Sequence, residues 1–86
     1  MAEYRLTFAR SARRELERLD PPIARRVLKA IEKLSYTPRP VGCIKLTGSV
    51  DEWRIRIGDW RVIYVVLDGD GVVDVVAVRH RSDAYR

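Results

Sequence analysis

Two turn signals in the C-terminal half of the chain constrain its fold more than any other feature. Gly58-Asp59 and the Asp-Gly-Asp-Gly sequence at 68–71 separate three runs of strand-forming residues, at 53–57, 60–67 and 72–78. Short turns rich in glycine and aspartate between such runs are typical of β-hairpins. We therefore predict a three-strand antiparallel meander in this half of the chain.

The N-terminal half has the periodicity of one strand followed by two helices. Residues 4–8 alternate apolar and polar side chains, as a half-buried strand does. Apolar residues then recur at helical spacing over 9–19 and again over 23–34. Asp-Pro-Pro at 20–22 separates the two stripes, because aspartate favours the N-cap and proline fits the first helical turn. A loop with two prolines and a glycine at 36–42 ends the second helix.

The order β-α-α-β-β-β predicts a small α+β domain of two layers, with a helical hairpin on one face of the sheet. With 86 residues the chain has room for one domain, which we assign to residues 1–86. Its single cysteine, Cys43, and single histidine, His80, cannot build a disulfide framework or a thiolate or histidine metal cluster. No apolar run approaches the length of a membrane span. We expect a soluble cytoplasmic protein with no cofactor, no metal and no membrane partner.

Basic residues are concentrated where the predicted register brings them together. The net charge is +5, and 14 of the 17 basic residues are arginines, whose planar fork matches phosphate and carboxylate groups. With Gly58-Asp59 as the turn, Arg56 opposes Arg61, and both share one sheet face with Arg54. Two opposed arginines repel each other, which favours an anion-binding face over a solvated face paired with carboxylates. The helix charges are interpreted as a solvated outer surface.

The C-terminal tail adds further groups that could carry chemistry. Beyond the last predicted strand lie three arginines, at 79, 81 and 86, together with His80 and Tyr85. Histidine can exchange a proton near neutral pH, although a histidine at a strand end is more often a surface or capping residue. Tyr85 could stack on a base, hold a phosphate or accept a proton, or it could simply pack.

Taken together, the sequence resembles the RelE/ParE superfamily of toxins from toxin–antitoxin pairs, over essentially the whole chain. The order and spacing of several short segments carry the resemblance. These are Ser11-Ala12-Arg13-Arg14-Glu15-Leu16, Lys45-Leu46-Thr47-Gly48, Trp53-Arg54-Ile55-Arg56-Ile57-Gly58-Asp59-Trp60-Arg61-Val62-Ile63-Tyr64 and Val78-Arg79-His80-Arg81-Ser82-Asp83-Ala84-Tyr85.

In the RelE branch, this resemblance implies a metal-independent endoribonuclease that cuts mRNA in the ribosomal A site by attack of a ribose 2′-OH. It assigns Arg61 and Arg81 to the scissile phosphate, and Arg54 and Arg56 to the mRNA backbone and the developing charge. Tyr85 and His80 are the alternatives for proton transfer, and the RNA-contacting residues are Lys45, Arg54, Arg56 and Arg79. The best-known RelE pattern has lysines where this chain has Arg54 and Arg56, and an arginine side chain stays protonated.

The partners implied by the resemblance are the ribosome with its mRNA and a cognate antitoxin protein, in a hetero-oligomeric complex. An acidic, amphipathic antitoxin segment would lie across the basic surface and the helical hairpin. Two alternatives come from other functional classes. The ParE branch shares the fold and several of these arginines but blocks DNA gyrase, and an inert relative would bind only its antitoxin.

Overall fold

The structure, a computed structural model, describes residues 3–46, 48 and 51–82. The chain forms a mixed sheet with two helices on one face, which confirms the predicted small α+β domain. In chain order the elements are β1 (Arg5–Phe8), α1 (Arg10–Glu17), α2 (Pro21–Lys33), β2 (Ile44–Lys45), β3 (Glu52–Ile57), β4 (Trp60–Leu67) and β5 (Val72–His80).

The sheet order is β1-β5-β4-β3-β2, and β3, β4 and β5 form the predicted antiparallel meander. Two features differ from the sequence prediction. β1 pairs with β5 in parallel, so the sheet is mixed, and the two-residue β2 adds a pairing along β3. β1 and β5 are distant in sequence, and the local periodicity that predicted the hairpins carries no signal for such a pairing. β2 is close to β3 in sequence, but its two residues are too few to show a strand alternation.

The turn between β3 and β4 determines the register of the functional face. Gly58 has a φ of 60°, and among the described residues only glycines have a positive φ. Glycine at the first turn position of a two-residue hairpin favours the tight turn that matches strand twist. The resulting pairs are Ile57 with Trp60, Arg56 with Arg61 and Arg54 with Ile63, as the sequence predicted.

The hydrophobic core lies between the helices and one face of the sheet. Val27 and Ile31 of α2 and Val62 and Tyr64 of β4 are fully inaccessible to solvent. Asp20 occupies the N-cap of α2 with prolines following it, but its side chain forms no capping hydrogen bond. Proline preorganisation and burial of the apolar stripe therefore stabilise the start of α2 without that bond.

A clasp holds the proline-rich loop against the sheet. Arg39 bonds Asp68 through two nitrogens, Nη2 at 2.6 Å and Nη1 at 3.3 Å, and Tyr4 donates its hydroxyl to Asp68 at 2.7 Å. The Arg39 guanidinium also lies 5.2 Å from the ring centroid of Trp53. We call Tyr4, Arg39 and Asp68 the clasp, since they join the start of β1, the loop and the β4–β5 turn.

Beneath the clasp, Tyr64 donates its hydroxyl to the Pro38 carbonyl oxygen at 2.7 Å. Burial, with a smaller contribution from Cys43, raises the pKa of Tyr64 far above its usual range, so its hydroxyl remains a donor. Among the described residues, neither helix is long and apolar enough to cross a membrane.

Candidate nucleic-acid interface

A row of three arginines crosses the sheet face that the helices leave open. Arg56 of β3 pairs with Arg61 of β4, and Arg61 pairs with Arg79 of β5. Directly paired residues project from the same face, so the three side chains leave the backbone on one side of the sheet. Arg54 lies on this face two residues before Arg56. We call these four residues, Arg54, Arg56, Arg61 and Arg79, the arginine face.

β5 continues two residues further than the sequence predicted, and this extension adds Arg79 to the arginine face. Arg79 and His80 were expected in a tail beyond the strand, but they are the last residues of β5. The β4–β5 ladder persists because Trp60 and Arg61 at the start of β4 offer partners to His80 and Arg79. Strand length here follows the length of the neighbouring strand, which local residue preferences do not encode.

Arg61 is the most unusual member of the arginine face. Its exposed fraction is 7%, and its Nη1 atom is buried with no hydrogen-bond partner among the described residues. Charged side chains are rarely buried unless they are paired, because removing a charge from water is costly. Its neighbours across the sheet, Arg56 and Arg79, are also cationic. A solvated face of arginines paired with carboxylates therefore does not describe Arg61.

The neighbouring β3 arginines are more accessible. Arg56 is exposed and donates from Nε to the Gly58 carbonyl oxygen at 3.0 Å, which folds its side chain back toward the turn. Arg54 is partly buried and forms no hydrogen bond or ion pair with the other described residues. Both retain guanidinium donors for an anion bound over the sheet.

Arg79 reaches around the edge of the sheet to α1. Its Nε lies 2.7 Å from Oε2 of Glu15, whose Oε1 accepts a hydrogen bond from the Val78 amide at 2.9 Å. The sequence interpretation of the helix charges as a solvated outer surface is wrong for Glu15. The reason is that α1 continues along the edge of β5 beside the end of β1, where the unpaired backbone amide of Val78 needs an acceptor.

Two predicted catalytic side chains are separated from the arginine row. His80 pairs with Trp60 on the helix side, and their rings are edge-on with centroids 5.2 Å apart. Nδ1 of His80 accepts from the Ser82 amide at 3.3 Å and lies 3.0 Å from the Ser82 hydroxyl oxygen. Arg81 follows the end of β5, with its Nη1 3.8 Å from a carboxylate oxygen of Asp59 and an exposed side chain.

The other two predicted site residues have different outcomes. Lys45 is exposed on β2 and pairs with Trp53, which packs against the core, so the alternation of the sheet places Lys45 on the side away from the arginine face. Tyr85 lies outside the described residues. Glu15 was not predicted as a site residue, since a glutamate on an amphipathic helix gives no local sign of a strand-edge contact.

A groove of about 900 Å³ opens on the helix side, between α2, the proline-rich loop and the outer edge of β3. Apolar side chains form its floor, among them Leu34 and Ile55, which are buried, and Ile57. β2 pairs with Trp53 and Arg54, and the Leu46 amide donates to the Glu52 carbonyl oxygen at 3.0 Å. Among the described residues, Ile55, Arg56 and Ile57 of β3 therefore have no strand neighbour on this side. The basic residues that line the groove are Arg26, Lys29, Lys33 and Arg56.

The arginine face can hold a polyanion and stabilise additional negative charge. Guanidinium groups form two parallel hydrogen bonds with a phosphate, and they are stronger where water is excluded. None of the four arginines can exchange a proton under ordinary conditions. The face is therefore suited to electrostatic stabilisation, and any proton transfer requires other side chains.

Comparison with known proteins identifies the class of this fold. The profile described as the ParE toxin of the type II toxin–antitoxin system parDE matches residues 6–85. Toxin RelG of Mycobacterium tuberculosis is 33% identical over 84 residues, which cover 96% of this chain and 97% of that protein.

Solved structures give the same result. The toxin in the archaeal RelE–RelB complex from Pyrococcus horikoshii OT3 superposes with a TM-score of 0.83 and 32% identity, covering 94% of this chain and 98% of that one. The intact Escherichia coli RelBE toxin–antitoxin complex gives a TM-score of 0.79 and 28% identity, covering 90% and 95%. The fold is that of toxins from type II toxin–antitoxin systems. The chain belongs to the RelE/ParE superfamily of these toxins.

Proposed function

We propose that this toxin is a ribosome-dependent endoribonuclease that cuts mRNA without a metal ion. The observation that carries the proposal is Arg61, a buried arginine between two further arginines, whose Nη1 has no hydrogen-bond partner among the described residues. A buried charge without a partner is costly in the free protein, and a phosphate of the substrate would supply the missing acceptor. The similarity to RelE proteins supports mRNA as the source of that phosphate.

The proposed reaction begins with a ribose 2′-OH, which loses its proton as its oxygen attacks the adjacent phosphorus. The new O2′–P bond forms while the P–O5′ bond breaks, and the departing 5′-oxygen takes up a proton. The products are a 2′,3′-cyclic phosphate and a 5′-OH. Arg61 and its neighbours would stabilise the additional charge on the five-coordinate phosphorus, where preorganised donors contribute most to the rate.

The strand register favours Arg79 over Arg81 as the partner of Arg61 at the scissile phosphate. Arg79 lies directly opposite Arg61, whereas Arg81 lies beyond the strand and beside Asp59. We therefore assign Arg61 and Arg79 to the reacting phosphate, and Arg54, Arg56 and Arg81 to the flanking backbone. Because His80 is on the helix side, we assign proton transfer to Tyr85.

Three variants test this proposal: Arg61→Ala, Tyr85→Phe and, as a matched control, Arg25→Ala, which removes an exposed arginine from α2. Loss of one charge-stabilising donor should lower cleavage of ribosome-bound mRNA by roughly a hundredfold or more. Loss of the proton-transfer group should have an effect of at least about a hundredfold. The control should cleave at the parental rate, as measured by primer extension on translated mRNA.

The same induction experiment separates the alternatives. Cleavage within translated codons supports the nuclease. DNA damage with intact mRNA would instead support a gyrase inhibitor, a candidate favoured by the match to the ParE toxin profile. Normal growth would indicate an inert relative, and equal cleavage by Arg61→Ala and the parent would contradict the proposed site.

We also propose that a cognate antitoxin forms a hetero-oligomer with this toxin and occupies the groove between α2 and β3. The groove has an apolar floor and a basic rim, so it is complementary to a segment that carries both apolar and acidic side chains. The outer edge of β3 adds backbone groups that an extended segment could pair with. Relatives of known structure are found as RelE–RelB complexes, which supports this class of partner.

A further inference from the structure

We propose that Glu15 is a positioning residue that holds Arg79 in line with Arg61 for phosphate binding. The inference rests on the proposed function in one respect, which is that the arginine face binds the phosphates of RNA. It adds a role for a residue of α1 that lies outside the sheet and outside the reacting groups.

The Glu15 carboxylate is held at both of its oxygens. Oε1 accepts from the Val78 amide at 2.9 Å, and Oε2 lies 2.7 Å from Nε of Arg79. The first contact fixes the carboxylate to the backbone of β5, one residue before the side chain that it binds. The Glu15 side chain is 25% exposed, so this contact is only partly screened by water.

α1 is itself attached to the same strand edge, which gives Glu15 a rigid base. Ser11, one turn earlier, donates its hydroxyl to the Val76 carbonyl oxygen at 3.0 Å. Ala12 of the same helix is completely buried in the core. Residues four apart on a helix lie on one face, so Ser11 and Glu15 meet β5 together.

Glu15 approaches the Nε side of the Arg79 guanidinium and leaves its terminal fork available. Nε makes the closest contact of the pair, and the terminal nitrogens form no hydrogen bond with the described residues. The Arg79 side chain is 45% exposed. Since the terminal nitrogens are the pair that grips a phosphate bidentately, the contact orients Arg79 without occupying its binding end.

Repulsion along the arginine row makes such an anchor necessary. Arg79 lies opposite Arg61, which lies opposite Arg56, and like charges directly opposed across a sheet are destabilising. Without Glu15, a flexible arginine at the sheet edge would turn toward water. Holding it in place before RNA arrives removes an ordering cost from binding.

Glu15→Gln tests this role because it should change the affinity for RNA in opposite directions, depending on whether the lost charge or the lost positioning dominates. Removing a negative charge near an RNA-binding face should by itself tighten binding. Loss of positioning should weaken it. A glutamine can still accept the Val78 amide through its oxygen, whereas its NH₂ group, being a donor, cannot replace the contact with Arg79.

The matched control is Glu17→Gln, which makes the same charge change at an exposed position of α1. We expect Glu15→Gln to weaken binding of a short single-stranded RNA by roughly fivefold, and Glu17→Gln to leave it equal or tighter. Fluorescence anisotropy at one fixed salt concentration measures both, and a melting curve of each variant verifies the fold.

A double-mutant cycle completes the test. If Glu15 acts through Arg79, the Glu15→Gln, Arg79→Ala double variant should bind no more weakly than Arg79→Ala alone. The Nε resonance of Arg79 should also shift in Glu15→Gln and stay at its parental position in Glu17→Gln. Additive losses, or equal behaviour of the two glutamine variants, would overturn the positioning role.

Failure of the proposed nuclease function can be distinguished from failure of the positioning role of Glu15. A parent chain that binds RNA but leaves ribosome-bound mRNA intact would eliminate the nuclease and leave the coupling between Glu15 and Arg79 in place. If the parent does not bind the RNA at all, the RNA interface is wrong, and the Arg79 resonance still reports whether Glu15 holds that side chain.

Discussion

Arg61 combines features that rarely occur together in a side chain selected for stability alone. It is almost completely buried, it lacks a partner at Nη1 among the described residues, and its two cross-strand neighbours carry the same charge. An unpaired buried charge lowers the stability of the free protein, so a ligand that pairs with it gains affinity. At this residue, stability and function are opposed.

We therefore expect Arg61→Met to stabilise the fold while it abolishes function. Methionine has a flexible apolar chain that can fill most of the same space without a charge. The free energy of unfolding in urea should rise by about 1–3 kcal/mol, and RNA binding should fall. Arg25→Met, at an exposed position on α2, should change stability by less than about 0.5 kcal/mol. Unfolding of Arg61→Met at lower urea than the parent would indicate that the guanidinium is already satisfied in solution.

At the level of secondary-structure elements, the clasp joins three segments that are far apart in the sequence. Arg39 of the loop, Tyr4 before β1 and Asp68 of the β4–β5 turn meet on the surface. Hydrogen bonds from Arg39 and then Tyr4 lower the pKa of Asp68. The clasp also keeps the loop beside α2, where it forms one wall of the groove.

This pKa shift has a defined sign for stability. A carboxylate with a lowered pKa in the folded state contributes stability above its unfolded pKa of about 3.9, and the contribution is lost as the pH falls below that value. Asp68→Asn should therefore lower the melting temperature at pH 7, with a difference that shrinks in strongly acidic buffer. Asp70→Asn, in the same exposed turn, is the control and should melt like the parent. An Asp68→Asn effect that is independent of pH would contradict the ionic role of the clasp.

The whole molecule divides its basic charge between two surfaces. The arginine face occupies the open side of the sheet, whereas Arg26, Lys29 and Lys33 border the groove on the helix side. The net charge of +5 thus serves two kinds of anionic partner in our proposals, an RNA and an acidic antitoxin segment. Arg56 belongs to both surfaces, whereas Lys29 and Lys33 line the groove alone, so variants at these two lysines can affect the groove separately.

Charge reversal at the groove should weaken the antitoxin complex selectively. The Lys29→Glu, Lys33→Glu double variant should lose roughly tenfold or more in affinity for the cognate antitoxin, measured by calorimetry. Arg10→Glu and Arg13→Glu together, at exposed positions on α1, make the matched control and should bind close to the parental affinity. Equal losses in both double variants would show that the net charge, and not the groove, determines binding.

The local sequence pattern was sufficient to predict the helices, the hairpin strands and the opposed pair of arginines at the centre of the candidate site. The glycine and aspartate turns set the hairpin register, so the opposition of Arg56 and Arg61 was predictable from alternation alone. The helical stripes likewise predicted which face of α2 is buried. The catalytic roles of Arg54, Arg56, Arg61, His80, Arg81 and Tyr85 stay predictions, and Tyr85 also lies outside the described residues.

Long-range pairing determined the remaining features of the fold and of the candidate site. The sequence by itself specified the hairpins, the helices and an arginine-rich face, because turn chemistry and side-chain periodicity act between near neighbours. Only the tertiary structure placed β1 beside β5, extended β5 to bring Arg79 opposite Arg61, and turned His80 toward Trp60. It also placed Glu15 at the edge of β5. These contacts depend on which backbone edges remain unpaired once the chain has folded. A short stretch of residues cannot predict which edges those are.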